Sequence, residues 1–374
     1  MKLFFRLLII FQIFSACSDR VDLIVYNAKI YTVNKNFDIA SAFVVKNGKF
    51  VEVGGEELKQ KYKASNHVDA QGLPVYPGFI DSHCDLISHT NNSIFEDENI
   101  SEDSVKINNK EKYIQSLLSA QKNCLEKGLT TIGQAGISFK DVMIIDSLQR
   151  KKDFVIRVYA MMKNEFTSID YLLNSGGLKT DFLNINSLKV DVDDHNSNHT
   201  TGLKSSENFL SENFKITIDK DSLFKIANLL ARNSFQMNSK AHGYVANKIV
   251  LDVYNEILKE IKDPRWRIEH SEFIAKEDIS KFNLKIIPSI QPTYILKNLE
   301  RAKLKNDNEF IQSTLKLRDL LDWSGNLTIG SNFPKNEISP LKSFYSAIKI
   351  STSSEINSLS RFEALMGITR WAAY

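Results

Sequence analysis

Short apolar segments alternate with helical patterns along most of this chain, and this alternation restricts the fold more than any other feature. Strand-helix alternation predicts parallel βαβ units. Eight such units favour a (β/α)8 TIM-type barrel, in which the active site lies at the C-terminal ends of the strands. The helical patterns cover residues 110–127, 221–231, 246–261 and 310–323. The predicted strands are residues 75–81, 130–135, 154–161, 187–192, 237–242, 266–270, 284–290 and 326–331.

A β-rich segment precedes the alternation. Residues 21–54 contain runs of alternating apolar and polar residues, and Asn47-Gly48 separates two of them, which is typical of a hairpin turn. We therefore predict three parts: a signal segment at 1–17, a small and incomplete β-sandwich element at 21–70, and a barrel at 71–374.

The first residues have the features of an export signal. Lys2 and Arg6 accompany an apolar run that reaches Phe14, and Ser15-Ala16-Cys17 follows; the run is too short to span a bilayer comfortably. The pattern resembles a bacterial lipoprotein signal, in which Cys17 is lipidated and anchors the chain to a membrane, facing the periplasm or the cell exterior. A plain secretory signal with an incidental cysteine is the alternative. Nothing in the sequence indicates that Cys84 and Cys124 form a disulfide.

The overall composition limits the class of partner. The 374 residues are 43% hydrophobic and 25% charged, which is typical of a globular protein with a sizeable core. The formal net charge of +3 is small, and no basic stripe is interleaved with aromatic residues, so nucleic acid is not an expected partner. We expect a small-molecule substrate, membrane contact through the lipid anchor alone, and leave homo-oligomerisation open.

Polar side chains with metal-binding character occur where several predicted strands end. The run VYPGFIDSHCDL places His83 and Asp85 two residues apart, so on an extended strand they share one face. Imidazole and carboxylate together suit zinc, with iron, manganese or nickel as alternatives. The fourth predicted strand carries Lys189, and the fifth and sixth end at His242 and His270. A lone histidine is usually structural, but three at one end of separate barrel strands indicate a site.

Several motifs in fixed order resemble the amidohydrolase superfamily, and within it the amidohydrolase 3 family that includes N-substituted formamide deformylase-like proteins. The resemblance covers nearly all of residues 21–374. The matching text is DLIVYNAKIYTV, FVVKNGKFVEVG, PGFIDSH, the strand around Lys189, the strand ending at His242, RIEHSE, SIQPT and GSNFP.

The resemblance implies a hydrolase in which a divalent metal activates water against a C–N bond. It implies metal binding by His83, Asp85, His242 and His270, with Lys189 where the superfamily can use a carboxylated bridging lysine. Zn²⁺ is the first expectation, with Fe²⁺ or Mn²⁺ as alternatives. Position 332 corresponds to the aspartate that shuttles protons in the family. Gln291, Tyr294 and His195 are candidate substrate contacts, although His195, like His199, lies in a polar loop where solvent exposure is the alternative.

Four positions depart from the family pattern. Asp85 replaces a histidine, Tyr294 replaces the histidine expected after Gln291-Pro292-Thr293, and the Gly-Asp pair expected after His242 is absent. Asn332 is the largest departure, because an amide cannot accept and return a proton as a carboxylate does. Loss of a general base typically costs about a hundredfold to ten-thousandfold in rate. Asp85 is then a candidate to manage the proton.

Two functional interpretations follow. The first is a metal-dependent amidohydrolase that cleaves a non-peptide C–N bond of a small molecule. The second is a catalytically impaired, surface-anchored protein that keeps the pocket and binds a ligand. Compared with the family pattern, the sequence lacks a segment between Leu86 and Lys110 and the C-terminal strands of the sandwich. A fragment, a frameshifted gene and a reduced paralogue are the alternatives that fit this truncated pattern. Cys84 should face away from the site, and of Glu269 and Glu272 one could orient a histidine while surface exposure is the default.

Overall fold

The computed structural model describes residues 20–87, 89–90, 102–195, 214–284, 286–306, 317–350 and 358–374. These residues form two compact units that meet in sequence between Pro77 and Gly78.

The first unit contains two small sheets and one short helix. Its elements are β1 (Arg20–Tyr26), β2 (Lys29–Tyr31), β3 (Ile39–Ala40), β4 (Ala42–Lys46), β5 (Lys49–Gly54), α1 (Leu58–Lys61), β6 (Lys63–Asp69) and β7 (Pro74–Val75). A four-stranded sheet has the order β5-β4-β1-β6, and a three-stranded sheet has the order β3-β2-β7. Asn47 and Gly48 both have positive φ (53° and 71°) between β4 and β5, which confirms the predicted hairpin.

A parallel barrel with helices between its strands forms the second unit. Its strands are β8 (Phe79–Cys84), β9 (Leu129–Ile137), β10 (Arg157–Lys163), β12 (Leu183–Asp191), β15 (Gln236–Ala241), β16 (Arg267–His270), β17 (Ile287–Ile290) and β18 (Thr328–Ile329), hydrogen bonded in this order. Short strands β11 (Leu178–Lys179), β13 (Asp193–His195) and β14 (Phe214–Ile216) lie between them. The helices are α2 (Glu102–Glu126), α3 (Phe139–Arg150), α4 (Phe166–Ser175), α5 (Lys220–Arg232), α6 (Tyr244–Ile257), α7 (Lys276–Ile279), a 3₁₀ helix (Ser280–Leu284), α8 (Pro292–Leu304), α9 (Leu317–Ser324), α10 (Pro340–Lys349) and α11 (Arg361–Gly367).

The barrel closes between β18 and β8. The backbone amide of Asn332 donates to the carbonyl of His83 (3.0 Å), and the amide of Asp85 donates to the carbonyl of Phe333 (2.8 Å). The carboxylate of Asp81 accepts the amides of His83 (3.1 Å) and Ser331 (2.9 Å). The closing contacts therefore hold the end of β8 against the segment that follows β18.

The predicted (β/α)8 fold is confirmed, and each of the eight predicted strands corresponds to one barrel strand. Boundaries differ by several residues; the first strand begins at Phe79 rather than at Val75. Gly128 has φ 74° directly after α2 and its turn, as expected for a glycine that ends a helix. Of the predicted helix at 310–323, the described part is α9, and residues 307–316 lie outside the described ranges.

Candidate metal centre

Three buried imidazoles lie together at the C-terminal end of the barrel. His83 is near the end of β8, His270 is the last residue of β16, and His242 follows β15. The ring centroids of His83 and His270 are 4.9 Å apart, and those of His242 and His270 are 3.9 Å apart. The structure thus brings together the three histidines that were predicted from their positions at the ends of barrel strands.

A fully buried carboxylate orients His83. Oε2 of Glu269 lies 2.6 Å from Nδ1 of His83, and the guanidinium of Arg267 contacts the same carboxylate, with Nε 2.9 Å from Oε1. Burial opposes ionisation of Glu269, but Arg267 and His83 outweigh it and lower its pKa to about 2. This contact at Nδ1 fixes the orientation of the His83 ring, as buried carboxylates commonly do for metal-binding histidines.

A second buried carboxylate, Asp193 at the start of β13, holds His242. Its Oδ1 lies 3.1 Å from Nδ1 of the His242 ring. Its oxygens also accept the backbone amides of His242 (2.9 Å) and Gly243 (2.8 Å), where α6 begins. Burial lowers the pKa of His242 even though Asp193 acts in the opposite direction. Burial therefore favours the neutral form of His242, and Asp193 fixes the orientation of its ring.

His270 lies in a strained segment. His270 and Ser271 have φ of 75° and 47°, and the amide of Ser271 donates to the carbonyl of Ala241 (3.1 Å). Such consecutive positive φ values are costly and concentrate at functional sites. Burial, followed by the nearby His242 and His83, lowers the pKa of His270 well below its ordinary value. Burial therefore favours the neutral ring of His270, which is the form that binds metals.

Asp85 and Lys189 reach the same end of the barrel but have other partners. Strand β8 ends at Cys84, and its pairing with β9 is irregular between Asp81 and Cys84, so strict alternation stops before Asp85. The side-chain amide of Gln134 donates to Oδ1 of Asp85 (2.6 Å). Nζ of Lys189 forms an ion pair with Asp191 (3.0 Å).

Asn332 lies beside the first histidine. Its φ is 59°, a conformation that asparagine tolerates better than most residues, and its amide donates to the His83 carbonyl. The structure therefore places the backbone of position 332 beside the backbone of His83, and the residue at this position carries an amide.

The candidate substrate contacts are distributed around β17 and its neighbours. Gln291 is buried and donates to the carbonyl of Ser289 (2.9 Å). Tyr294 lies in the first turn of α8, and burial together with Glu272 raises its pKa to about 12. His195 ends β13, where its backbone pairs with Phe214. His199 and Cys17 lie outside the described residues.

Several structural partners were not predicted. Glu269 and Glu272 are both buried, so the default of surface exposure was wrong, and Glu269 orients His83 rather than its own neighbour His270. Asp193 and Gln134 were not selected at all. Asp193 follows the fourth predicted strand directly. The expectation that functional residues lie at the C-terminal ends of barrel strands, which selected Lys189, could therefore have selected Asp193 as well. Cys84 is buried, and it and Cys124 are free thiols among the described cysteines.

The donor chemistry of the cluster fits a divalent cation. Two imidazoles have carboxylates on Nδ1, which is how metal-binding histidines are commonly supported, and the third imidazole is buried. Within the described ranges, however, no three or more His, Cys, Asp and Glu side chains are arranged as a complete ligand set. The residue types are therefore those that bind divalent metals, but the described side chains do not form a complete coordination site.

The matches with known proteins cover more of this chain when structures are compared than when sequences are compared. No family model matches the chain. The protein LONG AFTER FAR-RED 3 of Arabidopsis thaliana is 23% identical over 252 residues, which are 63% of this chain and 43% of that protein. The chain thus spans less than half the length of this curated relative.

Two solved structures share the fold of this chain over most of its length. An uncharacterized metal-dependent hydrolase from Pyrococcus horikoshii OT3 has a TM-score of 0.77 at 18% identity, covering 94% of this chain and 92% of that chain. An adenosine deaminase from Xanthomonas campestris with bound zinc has a TM-score of 0.63 at 13% identity, covering 95% and 80%. These neighbours are metal-dependent hydrolases, and at such identities the likeness shows the shared fold.

Proposed function

We propose that this chain is a metal-dependent hydrolase of the amidohydrolase superfamily that cleaves a non-peptide C–N bond of a small molecule. The observation that carries the proposal is the cluster of His83, His242 and His270 at the C-terminal end of the barrel, with Glu269 and Asp193 fixing two of the rings. The similarity to metal-dependent hydrolases that share the fold supports it.

The proposal assigns one role to the histidines and others to the residues around them. The three imidazoles hold the cation, zinc being the first expectation, and Asp85 and Lys189 are the further candidate ligands at the same strand ends. The chemistry that such an ion supplies is Lewis-acid activation of water and of the scissile carbonyl. Gln291, Tyr294 and His195 are the candidate substrate contacts.

Proton transfer is the step for which the expected carboxylate is missing. The amide of Asn332 cannot act as the base. Asp85, which follows the last residue of β8, or another group that supports the cluster would have to act as the base, and the Asp85 carboxylate accepts a hydrogen bond from Gln134. Turnover should therefore be slow unless Asp85 is released from Gln134.

Asn332 also favours a second candidate function, a barrel that binds a ligand at the same pocket without efficient turnover. In that case the histidines would retain metal and ligand, and the missing carboxylate would be the reason for low activity.

One substitution separates the two candidates. Wild type, Asn332→Asp and His270→Ala are assayed with added zinc against a panel of small N-substituted amides. Asn306→Asp is the matched control, since Asn306 also has positive φ (55°) but is exposed at the end of α8. Hydrolysis by wild type that is lost in His270→Ala supports the hydrolase. Hydrolysis by Asn332→Asp alone supports the binding protein, and no hydrolysis by either zinc-loaded protein contradicts amide hydrolysis for that panel.

A further inference from the structure

The segments that carry His242 and His270 leave the barrel side by side. Strands β15 and β16 pair as far as Ala241 and His270, which are directly opposite each other. Beyond the strand ends, the amide of Ser271 donates to the carbonyl of Ala241 (3.1 Å), and the amide of Phe273 donates to the carbonyl of His242 (2.8 Å). The two segments therefore remain linked by backbone hydrogen bonds after the sheet has ended.

A fully buried asparagine, Asn247 near the start of α6, lies at this junction. Its Nδ2 lies 3.1 Å from the carbonyl oxygen of His242 and 3.0 Å from those of Gly243 and Phe273. The carbonyl oxygen of Ala241 is 3.3 Å away. An amide nitrogen has two hydrogens, so the four acceptors share them. One side chain thus ties the segment after β15 to the segment after β16.

Helix α6 gains little from this arrangement. Asparagine stabilises a helix start when it is the N-cap and its oxygen accepts a backbone N–H, but here the N-cap is Gly243. Oδ1 of Asn247 is buried and has no hydrogen-bond donor among the described residues, which is unfavourable. Exchanging the oxygen and nitrogen of the amide would place Oδ1 against four carbonyl oxygens, so the network fixes the amide orientation. The favourable contacts of Asn247 are therefore those with the two segments.

These two segments determine how two of the imidazoles are placed. The ring centroids of His242 and His270 are 3.9 Å apart, and the ring planes make an angle of 29°. Asp193 holds the ring of His242. Within the described ranges, no hydrogen bond reaches the ring of His270, so its position depends on the backbone that carries it.

We propose that Asn247 is a positioning residue of the candidate metal centre. Its amide holds the segments after β15 and β16 together, and so keeps His242 and His270 at the separation at which both can bind one cation. Loss of a group that orients metal ligands typically lowers metal affinity about tenfold to hundredfold. This inference rests on the proposed metal-dependent function, but it concerns metal binding rather than turnover.

Two leucine substitutions on one helix separate this role from a purely structural one. Asn247→Leu keeps the approximate size of the side chain and removes the amide donor. Asn255→Leu is the matched control, because Nδ2 of Asn255, further along α6, donates to the carbonyls of Leu251 (2.8 Å) and Lys281 (3.2 Å). These carbonyls belong to neither histidine segment. Asn247→Ser is a second, smaller change at the same position.

Metal binding and stability are measured separately. Competition with a chromophoric chelator gives the Zn²⁺ affinity, the absorption spectrum of bound Co²⁺ reports the ligand geometry, and urea unfolding gives the stability of the metal-free proteins. We expect Asn247→Leu to bind Zn²⁺ about tenfold to hundredfold more weakly than wild type and to shift the Co²⁺ absorption bands. Asn255→Leu should bind both ions as wild type does, even where its metal-free stability falls as much.

A folded Asn247→Leu protein with the Zn²⁺ affinity and Co²⁺ spectrum of wild type would overturn the positioning role. Equal weakening in Asn247→Leu and Asn255→Leu would also overturn it, because the loss would then follow from general destabilisation. If Asn247→Leu does not fold, Asn247→Ser decides by the same two outcomes. Absence of Zn²⁺ binding in wild type would overturn the proposed metal-dependent function together with this inference. Zn²⁺ binding that depends on Asn247, without amide hydrolysis, would support the positioning role and count against the hydrolase.

Discussion

At the scale of single residues, buried carboxylates decide how the histidine cluster is held. Glu269 and Asp193 are each fully buried and each contact Nδ1 of one histidine. Neither carboxylate is adjacent in sequence to the ring that it orients: Glu269 contacts His83, 186 residues away, and Asp193 contacts His242, 49 residues away. Such partners depend on the closed barrel, so residue spacing could select the histidines but not the carboxylates.

The Glu269→Gln substitution should destabilise the protein strongly. It removes the anionic partner of Arg267 and leaves a buried guanidinium without its counter-charge, which typically costs about 3–5 kcal/mol. The free energy of unfolding in urea measures this loss. The control is Glu52→Gln, since Glu52 forms an exposed ion pair with Lys61 (2.7 Å) and should change stability little. Equal, small losses in both variants would show that the Arg267–Glu269–His83 contacts contribute little to stability.

Glu272 should make stability depend on pH. Burial, with Asp193 nearby, raises its pKa from 4.5 to about 8. Between these values the folded protein keeps a proton that the unfolded chain releases, so this contribution to stability is complete below about pH 4.5 and is lost as pH rises through 8. We expect Glu272→Gln to remove this part of the decline.

The measurement is the free energy of unfolding of chelator-treated protein across that pH window. Glu260→Gln, a change at an exposed carboxylate, should keep the decline of the wild type. The same pH dependence in wild type and Glu272→Gln would contradict the assignment.

At the scale of elements, closure of the barrel depends on a close approach between the segment after β18 and the end of β8. A Cβ at Gly330 would lie 2.5 Å from the backbone nitrogen of His83 and 2.6 Å from its Cβ. Only glycine fits there without movement of the strand that carries the first histidine. The glycine thus links barrel closure to the position of the candidate metal centre.

Gly330→Ala should therefore lower the free energy of unfolding by about 1–3 kcal/mol or more, as overpacking of a filled interior does. Gly54→Ala is the control, because the nearest atom to its new Cβ is 3.4 Å away, at a flexible glutamate side chain. Denaturant unfolding of both variants gives the comparison. Wild-type stability in Gly330→Ala would mean that β8 and the closing segment separate easily.

The sequence predicted elements better than it predicted their ends. All eight barrel strands were predicted because parallel strands buried on both sides are short, apolar runs that stand out between helical patterns. The end of β8 was less predictable, because its irregular pairing with β9 interrupts the alternation that was expected to put Asp85 beside His83. The local sequence pattern cannot show such irregularities in strand pairing, because they arise when the barrel closes.

At the scale of the whole molecule, the fold is shared with metal-dependent hydrolases. Asn332 and Asp85 are two of the positions that depart from the pattern of the amidohydrolase 3 family, which the sequence resembles. Among the described helices, none combines the length and apolar character needed to cross a bilayer. Membrane anchoring through Cys17 remains a proposal that rests on residues 1–17.

Metal binding by the histidine cluster is the central claim, and zinc binding measured on purified protein tests it most directly. Wild type, a His242→Ala/His270→Ala double variant and His67→Ala are dialysed against zinc and then against buffer, and the retained metal is quantified. His67 lies exposed on β6 of the first unit and controls for loss of an imidazole. Wild type and His67→Ala should retain zinc, and the double variant should lose it. Equal zinc content in all three proteins would contradict metal binding by the histidine cluster.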